Sequence, residues 1–150
     1  EGRGVMTPKV RNILLLTSIY PATDFEKDVT PVVHYFAKEW VKTGCNVVVV
    51  HYPANFPGIL MKFASLFKNR ISSKSGAVIR THSMNESEYE LDGVRVKRFP
   101  LLKYRPHGKY VYRRIEKAYV STVDYCTSID FIPDVIISHW VNPQLEMSIS

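Results

Sequence analysis

The sequence predicts an α/β domain built on an open, mostly parallel β-sheet with helices on its faces. Two observations predict this fold class: short apolar runs that are typical of buried strands, and helix-periodic segments that alternate with them. The 150 residues are 45% hydrophobic and 23% charged, a composition that excludes a disordered or collagen-like chain. No apolar run approaches the ~20 residues that a membrane-spanning helix requires.

The first part of the chain predicts a strand, a helix and a second strand. Asn12–Thr17 reads NILLLT and is typical of a buried parallel strand. Thr30-Pro31 indicates a helix N-terminus, and Gly44 is a typical C-terminal cap. Between them, apolar residues recur on one predicted helix face: Val32, Val33, Phe36, Ala37, Trp40 and Val41. Asn46–His51, which reads NVVVVH, completes a βαβ unit.

The middle of the chain predicts a helix and a β-hairpin. Residues 57–70 fit a basic amphipathic helix, and because an α/β sheet needs covering helices, we expect it to pack on the sheet rather than on lipid. Asp92-Gly93 is a strong hairpin signal. The predicted hairpin pairs Tyr89 and Leu91 with Val94 and Val96. It adds strands to the sheet or to its edge.

The last third predicts a long helix and a further strand. Residues 109–129 carry one apolar stripe: Val111, Tyr112, Ile115, Ala118, Tyr119, Thr122, Val123, Cys126 and Ile129. Val135–His139 then predicts another buried strand. Asn142-Pro143 indicates a last helix that stops at Ser150, so we expect the natural chain to continue. Residues 1–5 are expected to be a cloning remnant that precedes a native start at Met6.

The order of these elements predicts where a ligand binds. In open α/β sheets, ligands bind beyond the carboxyl ends of the strands, at the point where the strand order reverses. If the first strand is central, its neighbour across that point is the strand that ends at His139. The loops 18–29 and 140–143 would then face each other across one crevice. Each loop leads into a predicted helix start, which favours an anion such as phosphate.

The histidines differ in what their positions predict. His139 ends a predicted strand at this crevice, beside Trp140, and either contacts a ligand or is hydrogen-bonded into the end of the sheet. His51 has the equivalent position on the second strand and is the weaker candidate. His34 lies within a predicted helix, where we expect it on the surface.

The first loop offers further polar candidates. Asp24, Lys27 and Asp28 either contact a polar substrate or are simply solvated. Tyr20-Pro21 forms either a rigid turn that walls the crevice or the floor of the site.

Several common sites are missing from the sequence. Residues 17–23 contain no glycine, which argues against an NAD-type dinucleotide site. The chain has no P-loop, HExxH or GxSxG motif. Cys45 and Cys126 fit neither a disulfide framework nor metal-ligand spacing, so reduced thiols and no metal are expected.

The net charge of +6 is concentrated in one stretch. Residues 95–117 contain nine basic residues and one acid, Glu116. Nucleic acid, an anionic membrane face or a phosphorylated ligand would each complement such a patch. The candidates for an acceptor or membrane patch are Arg105, Lys109, Arg113 and Arg114.

Two segments together carry a family resemblance. Residues 12–53 contain a strand that ends in Thr17-Ser18, the aromatic-proline pair Tyr20-Pro21, and a helix followed by a Gly-x-x-Val strand start. The matching residues of that helix and strand are Phe36, Ala37, Trp40, Gly44, Cys45, Asn46 and Val47. Residues 133–144 read PDVIISHWVNPQ. In this order and separation, the two segments resemble the N-terminal domain of family-4 glycosyltransferases of the GT-B fold.

This resemblance implies a retaining transferase that moves a sugar from a nucleotide-sugar to a glycan, lipid or small-molecule acceptor. Residues 6–150 would be its Rossmann-like, acceptor-side half, inactive without the donor-binding C-terminal domain. The resemblance places His139 near the transferred sugar as the catalytic candidate. It also implies substrate contacts from Tyr20, Pro21, Asp24, Lys27, Asp28, Thr30, Trp140 and Asn142. No metal or other cofactor is implied.

The sequence departs from the family at two places. Asp28, Val29 and Thr30 occupy a region where the family often has two glycines that let the backbone approach phosphate. Cys45 replaces the usual histidine after Gly44. The expected setting is polysaccharide biosynthesis in the cytoplasm, with peripheral contact to the anionic inner face of the membrane and no nucleic-acid partner. A non-catalytic α/β module that binds an anionic ligand or a partner protein is the alternative.

Overall fold

The computed structural model describes residues 11–21, 31–57, 85–104 and 109–139. Their elements in chain order are β1 (Asn12–Thr17), α1 (Val32–Lys42), β2 (Asn46–His51), β3 (Ala54–Asn55), β4 (Ser87–Leu91), β5 (Val94–Arg98), β6 (Leu101–Leu102), α2 (Tyr112–Ser128) and β7 (Val135–His139). The predicted helices within residues 57–70 and after Asn142 lie outside the described residues, apart from Pro57.

Within the described residues, five strands form one sheet in the order β4-β5-β2-β1-β7. The strands β5, β2, β1 and β7 are parallel, and only β4 runs antiparallel, as the partner of β5. The short strands β3 and β6 form a separate parallel pair. The predicted α/β class, with a mostly parallel sheet, flanking helices and a hairpin, is therefore confirmed.

The strands β1 and β2 are buried on both faces of the sheet because their side chains alternate between two apolar clusters. One cluster packs with α1: Ile13, Leu15, Val47, Val49, Val94 and Val96, among others. The other packs with α2: Leu14, Leu16, Val48 and Val50, among others. Successive side chains of a strand point to opposite faces, so a strand that is covered on both sides is apolar throughout. This explains the continuous runs NILLLT and NVVVVH.

The helix α1 ends as the sequence predicts. Gly44 has a φ of +87°, and its N–H donates to Val41 O at 2.9 Å while the Cys45 N–H donates to Trp40 O at 3.0 Å. These two bonds form a Schellman motif, in which the residue with positive φ is usually glycine.

The buried face of α1 differs from the prediction. Val33, His34 and Ala37 are buried, whereas Val32 and Phe36 are exposed. His34, predicted on the surface, is only 5% exposed. The reason is that polar partners meet both of its ring nitrogens, so the imidazole satisfies its hydrogen bonds inside the fold.

The hairpin has the predicted turn and register. Asp92 and Gly93 have φ values of 52° and 79°, which is the pattern of a type I′ turn. Tyr89 pairs with Val96, and Leu91 pairs with Val94. The hairpin enters the sheet through β5, which is an internal strand, while β4 forms the edge.

The helix α2 begins three residues later than predicted, and its stripe is partly wrong. Ile115, Ala118, Thr122 and Cys126 are buried as expected, but Tyr125 joins them. Three predicted stripe residues are exposed instead: Val111, Tyr112 and Val123. Val111 has an extended backbone (φ −69°, ψ 130°), so the first part of the predicted stripe precedes the helix.

The strand β7 is not buried as the sequence predicted. Ile136 is 45% exposed, and Val135 is also exposed. Among the described residues β7 pairs only with β1, so it lies at the sheet edge. An apolar groove of about 290 Å³ separates it from α2, and Cys126 and Phe131 are among its lining residues. None of the described helices is both long and apolar enough to cross a bilayer.

Candidate functional site

The last residues of the four parallel strands form one row across the carboxyl edge of the sheet. Thr17 of β1 lies in register with His51 of β2 and with His139 of β7, and His51 lies in register with Arg98 of β5. Residues in register on neighbouring strands point to the same face, which here is the α1 face. The sheet therefore ends in a polar row above an otherwise apolar surface.

Thr17 and His139 form the contact at the point where the strand order reverses. Thr17 Oγ1 lies 3.1 Å from His139 Nδ1. The Thr17 hydroxyl donates to Ile19 O at 3.0 Å and accepts from the Ile19 N–H at 3.2 Å. The hydroxyl and the His139 ring therefore share one hydrogen bond, which orients the imidazole at the end of β7.

His139 is held in its neutral form. Partial burial lowers its pKa below the ordinary value of 6.5, because desolvation penalises the charged ring. A neutral imidazole both donates and accepts hydrogen bonds. The neutral His139 ring therefore suits the recognition of a hydroxyl group or the acceptance of a proton better than it suits pairing with an anion.

The His51 side chain forms a hydrogen bond with the backbone. Its side chain is fully buried, and Nε2 lies 3.2 Å from Ser18 O, which the ring N–H reaches as donor. The β-ladder continues past the row, since the Tyr52 N–H donates to Thr17 O at 2.8 Å. His51 thus fixes the first residue of the loop that follows β1.

Arg98 is the member of the row that the sequence analysis did not single out. It is 1% exposed, and its guanidinium carbon lies 5.5 Å from the centre of the Tyr89 ring. A guanidinium stays charged at every physiological pH, so the row contains a buried positive charge. The only sequence signal was its position, since Arg98 follows Val94 and Val96 at strand spacing and ends a strand as His51 does.

Tyr20 and Pro21 lie against the core. The Tyr20 side chain is fully buried, and its hydroxyl lies 2.7 Å from His34 Nδ1. Burial raises the pKa of Tyr20 far above its ordinary value. The Tyr89 hydroxyl donates to Pro21 O at 2.7 Å. These contacts favour the interpretation of Tyr20-Pro21 as a rigid turn and bring no part of the Tyr20 side chain to the surface.

The basic stretch does not form one continuous face. Lys97 pairs with Glu86 at 2.9 Å, and Arg98 is buried. Arg114 donates to the Tyr104 hydroxyl at 3.2 Å and lies over the same ring. Lys109, three residues before α2, and Arg113, in its first turn, are exposed, so among the described residues the exposed patch is smaller than the sequence suggested.

Several predicted site residues have no described position. They are Asp24, Lys27, Asp28, Thr30, Arg105, Trp140 and Asn142, and their predicted roles stay predictions. Cys45 and Cys126 are thiols and do not form a disulfide with each other. Within residues 11–21, 31–57, 85–104 and 109–139, no group of three His, Cys, Asp or Glu side chains is arranged to hold a metal ion.

The chain matches no protein-family model, no curated protein and no solved structure. The family resemblance therefore rests on the sequence motifs, and the site is interpreted from its own geometry and charge.

Proposed function

We propose that this chain is the acceptor-side, N-terminal domain of a retaining glycosyltransferase that uses a nucleotide-sugar. The observation that carries the proposal is the meeting of Thr17 and His139, whose hydroxyl oxygen and ring nitrogen lie 3.1 Å apart. Their strands flank the reversal of strand order, where open α/β sheets bind ligands. Both residues belong to the motifs that resemble the family.

The chemistry of the row supports a sugar substrate. A neutral imidazole such as that of His139 can both donate and accept a hydrogen bond, which suits a sugar hydroxyl. Arg98 adds positive potential to the same edge, which favours an anionic ligand such as the phosphates of a nucleotide-sugar. In this proposal the donor phosphate assists both the departure of the nucleotide and the attack of the acceptor on the same face of the sugar, so the domain needs no nucleophilic carboxylate.

The transferase proposal is tested on the complete natural protein with a panel of nucleotide-sugars and release of nucleotide as the readout. Two variants of His139 distinguish the roles of its two ring nitrogens, because the Asn amide reaches the position of Nδ1 and the Gln amide reaches that of Nε2. If Nε2 faces the sugar, His139→Asn lowers kcat strongly and keeps the fold, whereas His139→Gln retains part of the turnover. Equal activity of both variants and wild type would remove His139 from the site.

Binding to this chain alone is tested by titrating ¹H–¹⁵N spectra with the same nucleotide-sugars and with acceptor oligosaccharides. The proposal expects shifts at the amides of Thr17, Ser18 and His139. Shifts confined to the start of α2 would contradict it.

Those shifts would instead favour the alternative, a non-catalytic module that binds an anionic ligand or a partner protein. The observation behind this alternative is the exposed start of α2, where Tyr112 is 75% exposed beside Arg113. Aromatic and arginine side chains on a surface are typical of binding sites.

A further inference from the structure

A buried histidine connects three separate elements of the fold. The Tyr20 hydroxyl lies 2.7 Å from His34 Nδ1, and His34 Nε2 lies 2.9 Å from Asp92 Oδ2. Tyr20 follows β1, His34 belongs to α1, and Asp92 forms the turn of the β4–β5 hairpin. Lys38, one helical turn beyond His34, donates to the same carboxylate oxygen at 3.0 Å.

The direction of each hydrogen bond follows from the chemistry of the groups. The hydrogen bond from His34, and then that from Lys38, lower the pKa of Asp92, so its carboxylate is ionised and only accepts. His34 Nε2 therefore carries a proton and donates it to Asp92, and His34 Nδ1 forms the second hydrogen bond, with the Tyr20 hydroxyl. Burial keeps that hydroxyl protonated, so hydrogen bonds run without interruption from Tyr20 to Asp92.

The hairpin holds the next residue as well. The hydroxyl of Tyr89, on β4, donates to Pro21 O at 2.7 Å. Earlier in the same loop, Ile19 is bonded to Thr17 and Ser18 O accepts from His51. Each residue from Thr17 to Pro21 thus has a hydrogen bond that restrains it. The hairpin restrains Pro21 directly through Tyr89 and Tyr20 indirectly, through Asp92 and His34.

We propose that Asp92 and His34 are positioning residues of the carboxyl-edge site, which hold the start of the loop after β1 through Tyr20. The inference rests on the proposed function, in which this edge binds substrate. A loop that is fixed before binding loses less conformational freedom on binding. Asp92 then contributes to substrate affinity although it lies in the turn before β5, at the opposite end of that strand from Arg98.

The experiment uses the whole chain without ligand and measures amide hydrogen exchange. Tyr20→Phe removes the hydroxyl and keeps the ring, and we expect the Ile19 amide to exchange about fivefold faster, as for the loss of one hydrogen bond. The Val49 amide, in the centre of the sheet, reports global unfolding and is the reference. In low concentrations of denaturant Val49 exchange should accelerate, whereas Ile19 exchange should stay nearly constant because it occurs by local opening. Ile19 exchange that follows Val49, or no acceleration at Ile19 in Tyr20→Phe, would overturn the proposal.

Asp92 offers a matched pair of variants at a position with positive φ. Asp92→Asn keeps an acceptor for His34 and suits the type I′ turn, so Ile19 exchange should stay close to wild type. Asp92→Gly tolerates the backbone but removes the acceptor, so Ile19 exchange should rise as in Tyr20→Phe. The same response from both variants would show that the carboxylate acts only through charge or turn propensity and would overturn the positioning role.

Binding then separates this inference from the proposed function. If wild type binds an acceptor oligosaccharide at Thr17 and His139 and Tyr20→Phe binds it equally well, the positioning role fails and the site stands. If Ile19 exchange responds as expected but wild type binds no acceptor oligosaccharide, the restraint stands and the proposed function fails.

Discussion

Thr17 and His139 lie in register at the carboxyl ends of two adjacent parallel strands, with Thr17 Oγ1 3.1 Å from His139 Nδ1. The opposite ends of the same strands are also joined, because the Asp134 carboxylate accepts from the N–H groups of Arg11 and Asn12 at 2.9 Å each. The strand that carries His139 is therefore fixed to β1 at both ends, although the side chains of Val135 and Ile136 are exposed.

Thr17→Val is expected to destabilise the protein. The new methyl group fills the place of the hydroxyl, but His139 Nδ1 and the Ile19 N–H lose their partner in a buried position. A buried donor without a partner costs about 1–3 kcal/mol. Chemical denaturation measures the loss in the free energy of unfolding, and Thr17→Ser, which keeps the hydroxyl, is the control. A valine variant as stable as wild type would show that this hydroxyl does not order the strand ends.

Acidification is expected to weaken the fold through His139. Its pKa in the folded protein lies below 6.5, so the unfolded chain binds this proton more readily. The contribution of neutral His139 to the free energy of unfolding is therefore fully present above about pH 6.5. It is lost as the pH falls through the lower pKa that His139 has in the folded protein. The free energy of unfolding should fall over this window in wild type and less in His139→Asn.

Two carboxylates affect the free energy of unfolding in a separate, more acidic pH range. Hydrogen bonds lower the pKa of Asp92 and Asp134 below 3.8, so their contribution is complete above that value and is lost at lower pH. The range near pH 6 is assigned to His139. If the free energy of unfolding depends on pH in the same way there in wild type and in His139→Asn, this assignment is contradicted.

The order of the elements was predictable from sequence because local signals agreed with the fold. The turn chemistry of Asp92-Gly93 and Gly44 requires positive φ, which few residues tolerate, and both predictions are confirmed. The continuous apolar runs placed β1 and β2 inside a parallel sheet. The adjacency of β1 and β7 followed from the topology rule and is confirmed by their register.

The predictions that failed concern the positions of polar side chains and the question of which faces of the helices and strands are buried. Helical periodicity assigned His34 to the surface, because a pattern of apolar residues carries no information about distant partners such as Tyr20 and Asp92. The sequence assigned Arg98 to the basic stretch of residues 95–117. Only the register of β5 with β2 shows that it lies in the row of strand-end residues beside His51. An apolar run cannot distinguish a central strand from an edge strand, which is why β7 was predicted to be buried.

Gly44→Ala tests the helix end that joins α1 to β2. Gly44 has a φ of +87°, and a Cβ there would meet no atom within 4 Å, so the cost is purely conformational. We expect a loss of about 1 kcal/mol in the free energy of unfolding. Gly44→Asn should lose less, since asparagine tolerates this backbone better than alanine does. An alanine variant without loss would indicate that the turn relaxes to a different geometry.

The exposed start of α2 is expected to bind anionic lipid vesicles. Tyr112 and Val111 are exposed there beside Lys109 and Arg113, an arrangement that suits a membrane surface because aromatic side chains favour the interface and basic ones attract anionic headgroups. Co-sedimentation with vesicles containing phosphatidylglycerol should exceed that with pure phosphatidylcholine and should weaken at high salt.

Two matched pairs of variants locate this surface. Arg113→Glu should lower vesicle binding by at least ~fivefold, on the basis of about 1 kcal/mol per basic residue near an anionic surface. Lys42→Glu makes the same charge change on α1 and should matter less. Tyr112→Ser should also weaken binding, whereas Val120→Ser, at another exposed position of α2, should not. If Lys42→Glu and Arg113→Glu reduce binding equally, the attraction reflects net charge alone and the start of α2 is not a specific membrane contact.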